Sequence, residues 1–387
     1  MQDFELCLPT KIVFGKGKIS LIGSFAKDYG KKLLLVYGMG SIKKNGVYQT
    51  VIKSLKDNNL EIIEHSGVKP NPVVSHARKG IEIAKSQKVD FILAVGGGSV
   101  IDEAKAIAAG ALYDGDVWDF YNGKSEIKKA LPVLTVLTVP ATASEYNGGT
   151  VLTNEEKKQK FGFINQNLYP KVSILDPSVT LTIPADYTAY AAVDAVIHLL
   201  EGYFTSNDPN CPIQDRYVEG LVKTIIEATN TILKDLTNYQ ARATFMWAAS
   251  LAWNGLGTAG IGDFSVPNHM FGHILGAYYD LAHGATLSII VPGWMKYNYK
   301  KNISKYVKFA KNVFEIKGSD DEDTALKGIE ALKNWFIQIK SPVSFKDANI
   351  PTNEIDKLAG SILELADVWN VKDYDINKVK EILSLCL

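Results

Sequence analysis

The first half of the chain alternates short β-branched runs with helical patterns, and this rhythm restricts the fold more than any other feature. "KKLLLVYG" precedes "VYQTVIKSLKDN", "PVVSHARKGIEIAKSQ" precedes "DFILAVGGG", and "SVIDEAKAIAAGAL" precedes "PVLTVLTVP". Apolar strands separated by helices belong to βαβ units, which implies a largely parallel sheet covered by helices. After "KVSILDPSVTLTIPADY" the character changes to long helical patterns. In "TALKGIEALKNWFIQI" the spacing of Leu326, Ile329, Leu332, Phe336 and Ile339 predicts one apolar helix face. The change falls between Asp176 and Pro184, giving an α/β domain over residues 1–178 and an all-α domain over 179–387. At 387 residues, 46% of them hydrophobic, the chain exceeds one ordinary core, so two domains are expected. A cleft between them is the default place for an active site.

Two glycine clusters follow strand-like runs. In "FILAVGGGSVIDEAKAIA" the residues Gly96, Gly97, Gly98 and Ser99 stand where a strand turns into a helix, an arrangement whose backbone N–H groups and helix dipole receive a phosphate. The G-x-G-x-x-G fingerprint is incomplete, because Ile101 replaces the third glycine. A tight turn requiring small residues has the same appearance. The second cluster, "VYGMGSIKKNG", reads first as a turn.

The helical half carries the strongest local chemistry. In "YAAVDAVIHLLEGYF", Asp194 and His198 are four residues apart in an otherwise apolar helix, so a carboxylate and an imidazole share a face that should be core. Alone, such a pair is satisfied by its own hydrogen bond. "PNHMFGHILGAYYDLAHG" then adds His269 and His273, again four apart, and His283. Four or more such groups in one domain, surrounded by glycine and apolar residues, point to a divalent metal. His65 and His76 sit in polar stretches and are expected at the surface.

Charge narrows the partners. Forty-two basic and 42 acidic residues give a formal net charge of zero, so no global field attracts nucleic acid or an anionic membrane, and a small molecule is the expected partner. Cys7, Cys211 and Cys386 are widely separated and odd in number, which fits a reducing cytoplasm. Neither a secretion signal nor an apolar run long enough to span a membrane is read in the sequence.

Taken in order and at their separations, "GGGSVID", "TVPATASE", "DAVIH" and "HMFGHILGAYYDLAHG" resemble the iron-containing (group III) alcohol dehydrogenase family, near its butanol dehydrogenase-like branch of NAD(P)H-dependent aldehyde reductases. The resemblance runs from "IVFGKG" to the helices beyond Pro292. It implies a Rossmann-like dinucleotide-binding domain followed by an all-α metal-binding domain, the dehydroquinate synthase-like architecture. It implies Asp194, His198, His269 and His283 as ligands of Fe2+ or Zn2+, with His273 near the nicotinamide and substrate. Gly97, Gly98 and Ser99 match the family's phosphate-binding turn, Asp102 follows at the family's position as a cofactor and catalytic residue, and Thr138, Thr142, Asn147 and Lys160 fall in cofactor-lining segments. Here "PATASEYN" is shorter than the "TTxGTGSE"-like loop of many members, so contacts around Ser144 differ.

The implied chemistry is hydride transfer between a nicotinamide and a small aldehyde or primary alcohol such as butanol, assisted by a Lewis-acidic metal. A homodimer is also implied. In this superfamily the turn after "LLLVY" selects the cofactor. Here that turn is Gly38, Met39, Gly40 and Ser41, with no acid and with Lys43 and Lys44 nearby, which predicts NADP(H) over NAD(H). Dehydroquinate synthase-like or glycerol dehydrogenase-like chemistry and a non-catalytic metal-binding role are the alternatives. The first expects clustered Arg and Lys around the metal block, and "MFGHILGAYY" offers none.

Overall fold

Burial on both sheet faces explains why the central strands "KLLLVYG" and "FILAVGG" carry almost no polar residues. The computed structural model describes residues 1–208 and 210–387. Eight strands occur among them: β1 (Lys11–Phe14), β2 (Lys32–Gly38), β3 (Glu61–Val68), β4 (Phe91–Gly97), β5 (Val133–Val139), β6 (Gly149–Asn154), β7 (Gln159–Ile164) and β8 (Val172–Leu175). Successive side chains point to opposite sheet faces. Leu33, Leu35 and Tyr37 of β2 and Phe91, Leu93 and Val95 of β4 therefore join one core, with Val47, Val51 and Leu55 of the helix Val47–Asp57. Leu34, Val36, Ile92 and Ala94 join the opposite core, with Ile101, Ala104, Ile107 and Ala108 of the helix Gly98–Gly110. A sheet buried on both faces has no use for polar alternation.

The six-stranded sheet has the order β1-β8-β5-β4-β2-β3, with every neighbouring pair parallel. From β2 the chain moves outward to β3, the edge strand, and then returns to β4 on the other side of β2. The strand order thus reverses between β2 and β4, and in open α/β sheets ligands bind at the carboxyl ends of strands flanking such a switch. Gly38 ends β2 and Gly97 ends β4, so both glycine clusters of the sequence lie at this point. Strands β6 and β7 form a separate antiparallel pair, with Thr153 opposite Lys160.

Two compact units are distinguished. One comprises Cys7–Ile183 with Asp235–Asn254 and contains the sheet; the other comprises Met1–Leu6, Pro184–Lys234 and Gly255–Leu387. The helix Tyr239–Leu251 thus belongs to the sheet unit, with Met246 in the core under β4 and β5. After β8 the described residues form helices and no strand, as the expected all-α half requires. Among the described residues no helix is long and apolar enough to cross a membrane.

Two expectations need correction. His65 is not at the surface: it is 5% exposed, because its position on β3 turns it under the neighbouring helices, where the buried Glu103 carboxylate compensates its polarity. His76 is partly covered and stacks on it, with ring centroids 4.2 Å apart; its hydrogen bond to Glu103 raises the His76 imidazole above its usual range. The second correction concerns the helix Asp321–Gln338. Its core face comprises Ala325, Ile329, Leu332 and Phe336, whereas Leu326 is 37% exposed, one residue off the stripe.

The sheet unit also hides a cation. Lys105 is fully buried on the helix Gly98–Gly110, and its Nζ donates to the backbone oxygens of Ser144 (2.7 Å), Asn147 (2.9 Å) and Gly149 (2.7 Å) and to Ser144 Oγ (2.9 Å). Burial lowers the Lys105 amine, and the nearby Asp102 and Glu145 carboxylates oppose that shift. Removing the ammonium leaves several carbonyls without a donor, a loss of about 3–5 kcal/mol by analogy with broken buried ion pairs. Lys105→Met is expected to lower unfolding stability by that amount in urea titration, and an unchanged midpoint would exclude Lys105 as the organiser of the 144–149 loop.

Candidate metal and dinucleotide sites

A carboxylate in the middle of an apolar helix must be compensated, and the helix Ala185–Thr205 brings the compensation to Asp194 from three directions. Asp194 is 3% exposed. Its Oδ1 lies 3.3 Å from His198 Nδ1, 3.6 Å from His269 Nε2 and 3.6 Å from His283 Nε2. The potential ligand atoms of Asp194, His198 and His269 all lie within 4.8 Å of one another. His283 stands outside that tightest group but faces the same oxygen.

Local sequence explains each approach. Pro267 opens the helix Pro267–Tyr279, whose first turn presents His269. Asp280 ends that helix in the left-handed conformation (φ 49°), so the chain reverses and His283 begins the next helix, His283–Asn298. Gly284 then allows close approach: a Cβ there would lie 2.0 Å from the Tyr190 carbonyl oxygen, on the helix that carries Asp194. Any side chain at 284 would push His283 away from the carboxylate.

The tautomers are set by outer partners. His198 Nδ1 donates to the Asp194 backbone oxygen at 2.9 Å, which leaves its lone pair on Nε2. His269 Nδ1 donates to Glu201 Oε1 at 2.9 Å, so in the neutral ring its Nε2 carries the lone pair and faces Asp194. Burial holds the His198 imidazole down to about 4, a neutral ring suited to ligation. At His269 burial acts in the same direction but is outweighed by Asp194 and Glu201, which raise it to about 9. The site therefore demands positive charge. A divalent ion meets that demand, and three imidazoles with one carboxylate form a donor set for Fe2+ or Zn2+.

Glu201 was not singled out in the sequence. It is fully buried and accepts from the His269 backbone N–H (2.8 Å) and from Asn268 Nδ2 (3.0 Å) as well as from His269 Nδ1. Its spacing gave a usable signal: Asp194, His198 and Glu201 stand at i, i+4 and i+7 on one helix face. His273 is buried with its ring 5.2 Å from His283, 6.4 Å from His269 and 5.3 Å from Trp369. Trp369 carried no sequence signal at all, standing alone near the end of the helix Ile355–Val368.

The sheet unit contains the second group. The helix Gly98–Gly110 starts without a side-chain cap, so its first N–H groups remain available to a phosphate. A Cβ on Gly96 would lie 2.4 Å from Val100 Cγ2, and one on Gly98 would lie 2.4 Å from Thr142 Oγ1. The turn thus admits only glycine at 96 and 98. Thr142 also holds the adjoining loop, accepting from the Ser144 N–H at 3.2 Å. Asp102 accepts from Ser144 Oγ at 2.6 Å, and burial raises its carboxyl against the pull of Lys105. Asn147 spends its amide internally, donating to the Thr142 and Trp253 carbonyls at 3.3 and 3.1 Å. Lys160 is buried and donates to Asn71 Oδ1 at 2.8 Å; Thr138 is buried at the end of β5. At the β2 end, Gly38 precedes the exposed Met39; Gly40 has φ 113°, and Ser41 opens a single helical turn, Ser41–Lys44. Lys43 Nζ lies over the Tyr37 and Tyr48 rings at 5.1 and 4.8 Å.

A parallel sheet with a glycine cradle at its switch point and a helical unit with a His3Asp group define a metal-dependent, dinucleotide-linked oxidoreductase. The family model described as iron-containing alcohol dehydrogenase matches residues 9–177, and that of the Fe-containing alcohol dehydrogenase family, C-terminal, matches residues 188–386. The chain belongs to the iron-containing alcohol dehydrogenase family. It is 41% identical over 390 residues to a probable NADH-dependent butanol dehydrogenase of Bacillus subtilis, covering 100% of both chains. It is 36% identical to an NADPH-dependent aldehyde reductase of Escherichia coli, covering 97% of each. The crystal structure of an NADH-dependent butanol dehydrogenase A from Thermotoga maritima superposes with a TM-score of 0.96 at 46% identity, covering 100% of this chain and 99% of that one.

Glu201→Gln keeps the size of the side chain and removes the charge that orients and polarises His269. Loss of such an outer partner weakens metal binding about 10–100-fold. That drop is expected in competition titration with a chelator; an unchanged affinity would mean that Glu201 only packs.

Proposed function

We propose that the chain binds one Fe2+ or Zn2+ ion through Asp194, His198, His269 and His283 and interconverts small aldehydes and primary alcohols, butanal and butanol among them, with NADP(H) preferred over NAD(H). The convergence of three imidazoles on Asp194 Oδ1 carries this reading. When bound, the ion supplies Lewis-acid polarisation of the substrate oxygen. The chain's residues do the rest. Backbone N–H groups at Gly97, Gly98 and Ser99 bind the pyrophosphate. Thr138, Thr142, Asn147 and Lys160 hold the walls of the cofactor site, directly or by fixing its loops. Asp102 presents a carboxylate one turn into the cradle helix and serves the reaction from the cofactor side. His273 carries the proton to or from the substrate oxygen while hydride passes between substrate carbon and nicotinamide, a transfer that requires the two held face to face. The enzyme works in the cytoplasm as a homodimer.

Cofactor preference follows from the β2 turn. An acid after β2 would bind a ribose 2′-hydroxyl and repel a 2′-phosphate, and Gly38, Met39, Gly40 and Ser41 include none. The Ser41 hydroxyl, backbone N–H groups and the cations Lys43 and Lys44 favour the phosphate.

His273→Ala is expected to lower kcat for butanal reduction about 100-fold, the low end for a lost general acid, with one metal ion retained at the Asp194 group. Loss of that ion in His273→Ala would contradict the four-ligand reading, and wild-type activity would contradict the proton role. For the cofactor, kcat/KM with NADPH is expected to exceed that with NADH, and Met39→Asp to shift the ratio toward NADH by about tenfold, ~1.4 kcal/mol. Equal values in the wild type would refute the preference.

A further inference from the structure

Far along the sequence from the Asp194 group, the sheet unit holds a second set of metal-type donors that the alcohol dehydrogenase reading does not use. His65 lies on β3, His76 on the helix Val74–Gln87 and Glu103 on the helix Gly98–Gly110. Their potential ligand atoms all lie within 4.8 Å of one another. His65 Nε2 is 3.1 Å and His76 Nδ1 is 2.6 Å from the same oxygen, Glu103 Oε1.

The distribution of partners is lopsided. Glu103 is fully buried, both imidazoles converge on Oε1, and Oε2 has no hydrogen-bond partner among the described residues. A buried carboxylate oxygen without a donor is costly, and a cation between the carboxylate and the rings would engage it. The outer arrangement is also that of a ligand set. His76 Nε2 faces the Ser66 backbone oxygen at 3.2 Å, so a proton there donates to the carbonyl while Nδ1 offers its lone pair. Gly80 lets its helix pack closely on the pair: a Cβ there would lie 2.4 Å from Ile107 Cδ1 and 3.0 Å from His65 Nε2. The His76 side chain is 22% exposed, so this edge of the cluster meets solvent.

We propose that His65, His76 and Glu103 form a second binding site for a divalent d-block cation, best served by Zn2+, and that this ion is structural. Two imidazoles, a carboxylate and a water complete a tetrahedral zinc shell, with donors about 2.0–2.2 Å from the ion. On binding, the His76 Nδ1 proton leaves to solvent, the Nε2 proton stays on Nε2 and is donated to the Ser66 carbonyl, and His65 carries its proton on Nδ1 so that Nε2 can ligate. The ion ties the edge strand β3 to both helices that bear the other ligands. Edge strands are the least secured part of an open sheet, and here the clip acts on the strand beside the switch point.

The test is a count of zinc bound to the full-length protein, stripped with chelator, reloaded with Zn2+ and freed of loose ions by gel filtration. Two equivalents per chain are expected for the wild type and one for Glu103→Gln. His76→Ala, on the partly exposed helix, is expected to give the same single equivalent and serves where Glu103→Gln does not fold. A wild-type count of one that Glu103→Gln leaves at one assigns the ion to the Asp194 group and overturns the inference. Two equivalents retained in both variants overturn it as well. A wild-type count of one that falls to none in Glu103→Gln supports this site and removes the reading of the Asp194 group instead.

Discussion

The helical unit is organised around one buried carboxylate. Asp194, at 3% exposure in an apolar helix, is tolerable only where positive charge reaches it, and three imidazoles from three separate helices do so within 3.6 Å. Several otherwise unrelated residues follow from that demand. Gly284 must lack a side chain so that the helix of His283 can press on the Tyr190 backbone; Asp280 must accept a left-handed backbone to turn the chain back. Glu201 adds a second buried carboxylate, which raises the demand for a cation and fixes which His269 nitrogen bears the lone pair. Under the proposed ligand set, metal affinity and the fold of these helices would be one property, since the unfolded chain offers no such set of ligands.

The sheet unit answers a different demand, the close turn from β4 into a helix that is proposed to receive phosphate. Glycine at 96 and 98 is enforced by Val100 and Thr142, whose atoms would otherwise be struck at 2.4 Å. Lys105 works behind the cradle: its ammonium gathers the carbonyls of residues 144, 147 and 149 and so shapes the loop that begins at Thr142. This buried cation adds to the loop's own side-chain hydrogen bonds, Ser144 to Asp102 and Asn147 to the Thr142 and Trp253 carbonyls.

The division between the legible and the hidden in the sequence is physical. Strands β2, β4, β5 and β8 are readable because burial on both faces makes them largely apolar, and Asp194, His198, His269, His273 and His283 because polar groups in apolar helices are conspicuous, whereas the choice of four among them comes from the family resemblance. β3 and the β6–β7 pair escaped notice: their exposed positions and interspersed polar residues, as in "EIIEHSGV", erase that contrast. His65 and His76 were read from their polar neighbours, whereas their partner Glu103 arrives from a helix 27 residues beyond His76. Lys105 looked like an ordinary helical lysine, since its acceptors lie 39 to 44 residues away. Leu326 shows the limit of periodicity, as an apolar residue adjacent to a core position need not be core.

Anomalous diffraction at the metal edge from crystals of the iron- or zinc-loaded protein tests the central claim most directly. The account predicts a peak in the helical unit about 2.0–2.2 Å from one donor atom each of Asp194, His198, His269 and His283, with no bond to His273. No peak at Asp194 in loaded, active protein, or a peak whose ligands include His273 in place of His283, would contradict it.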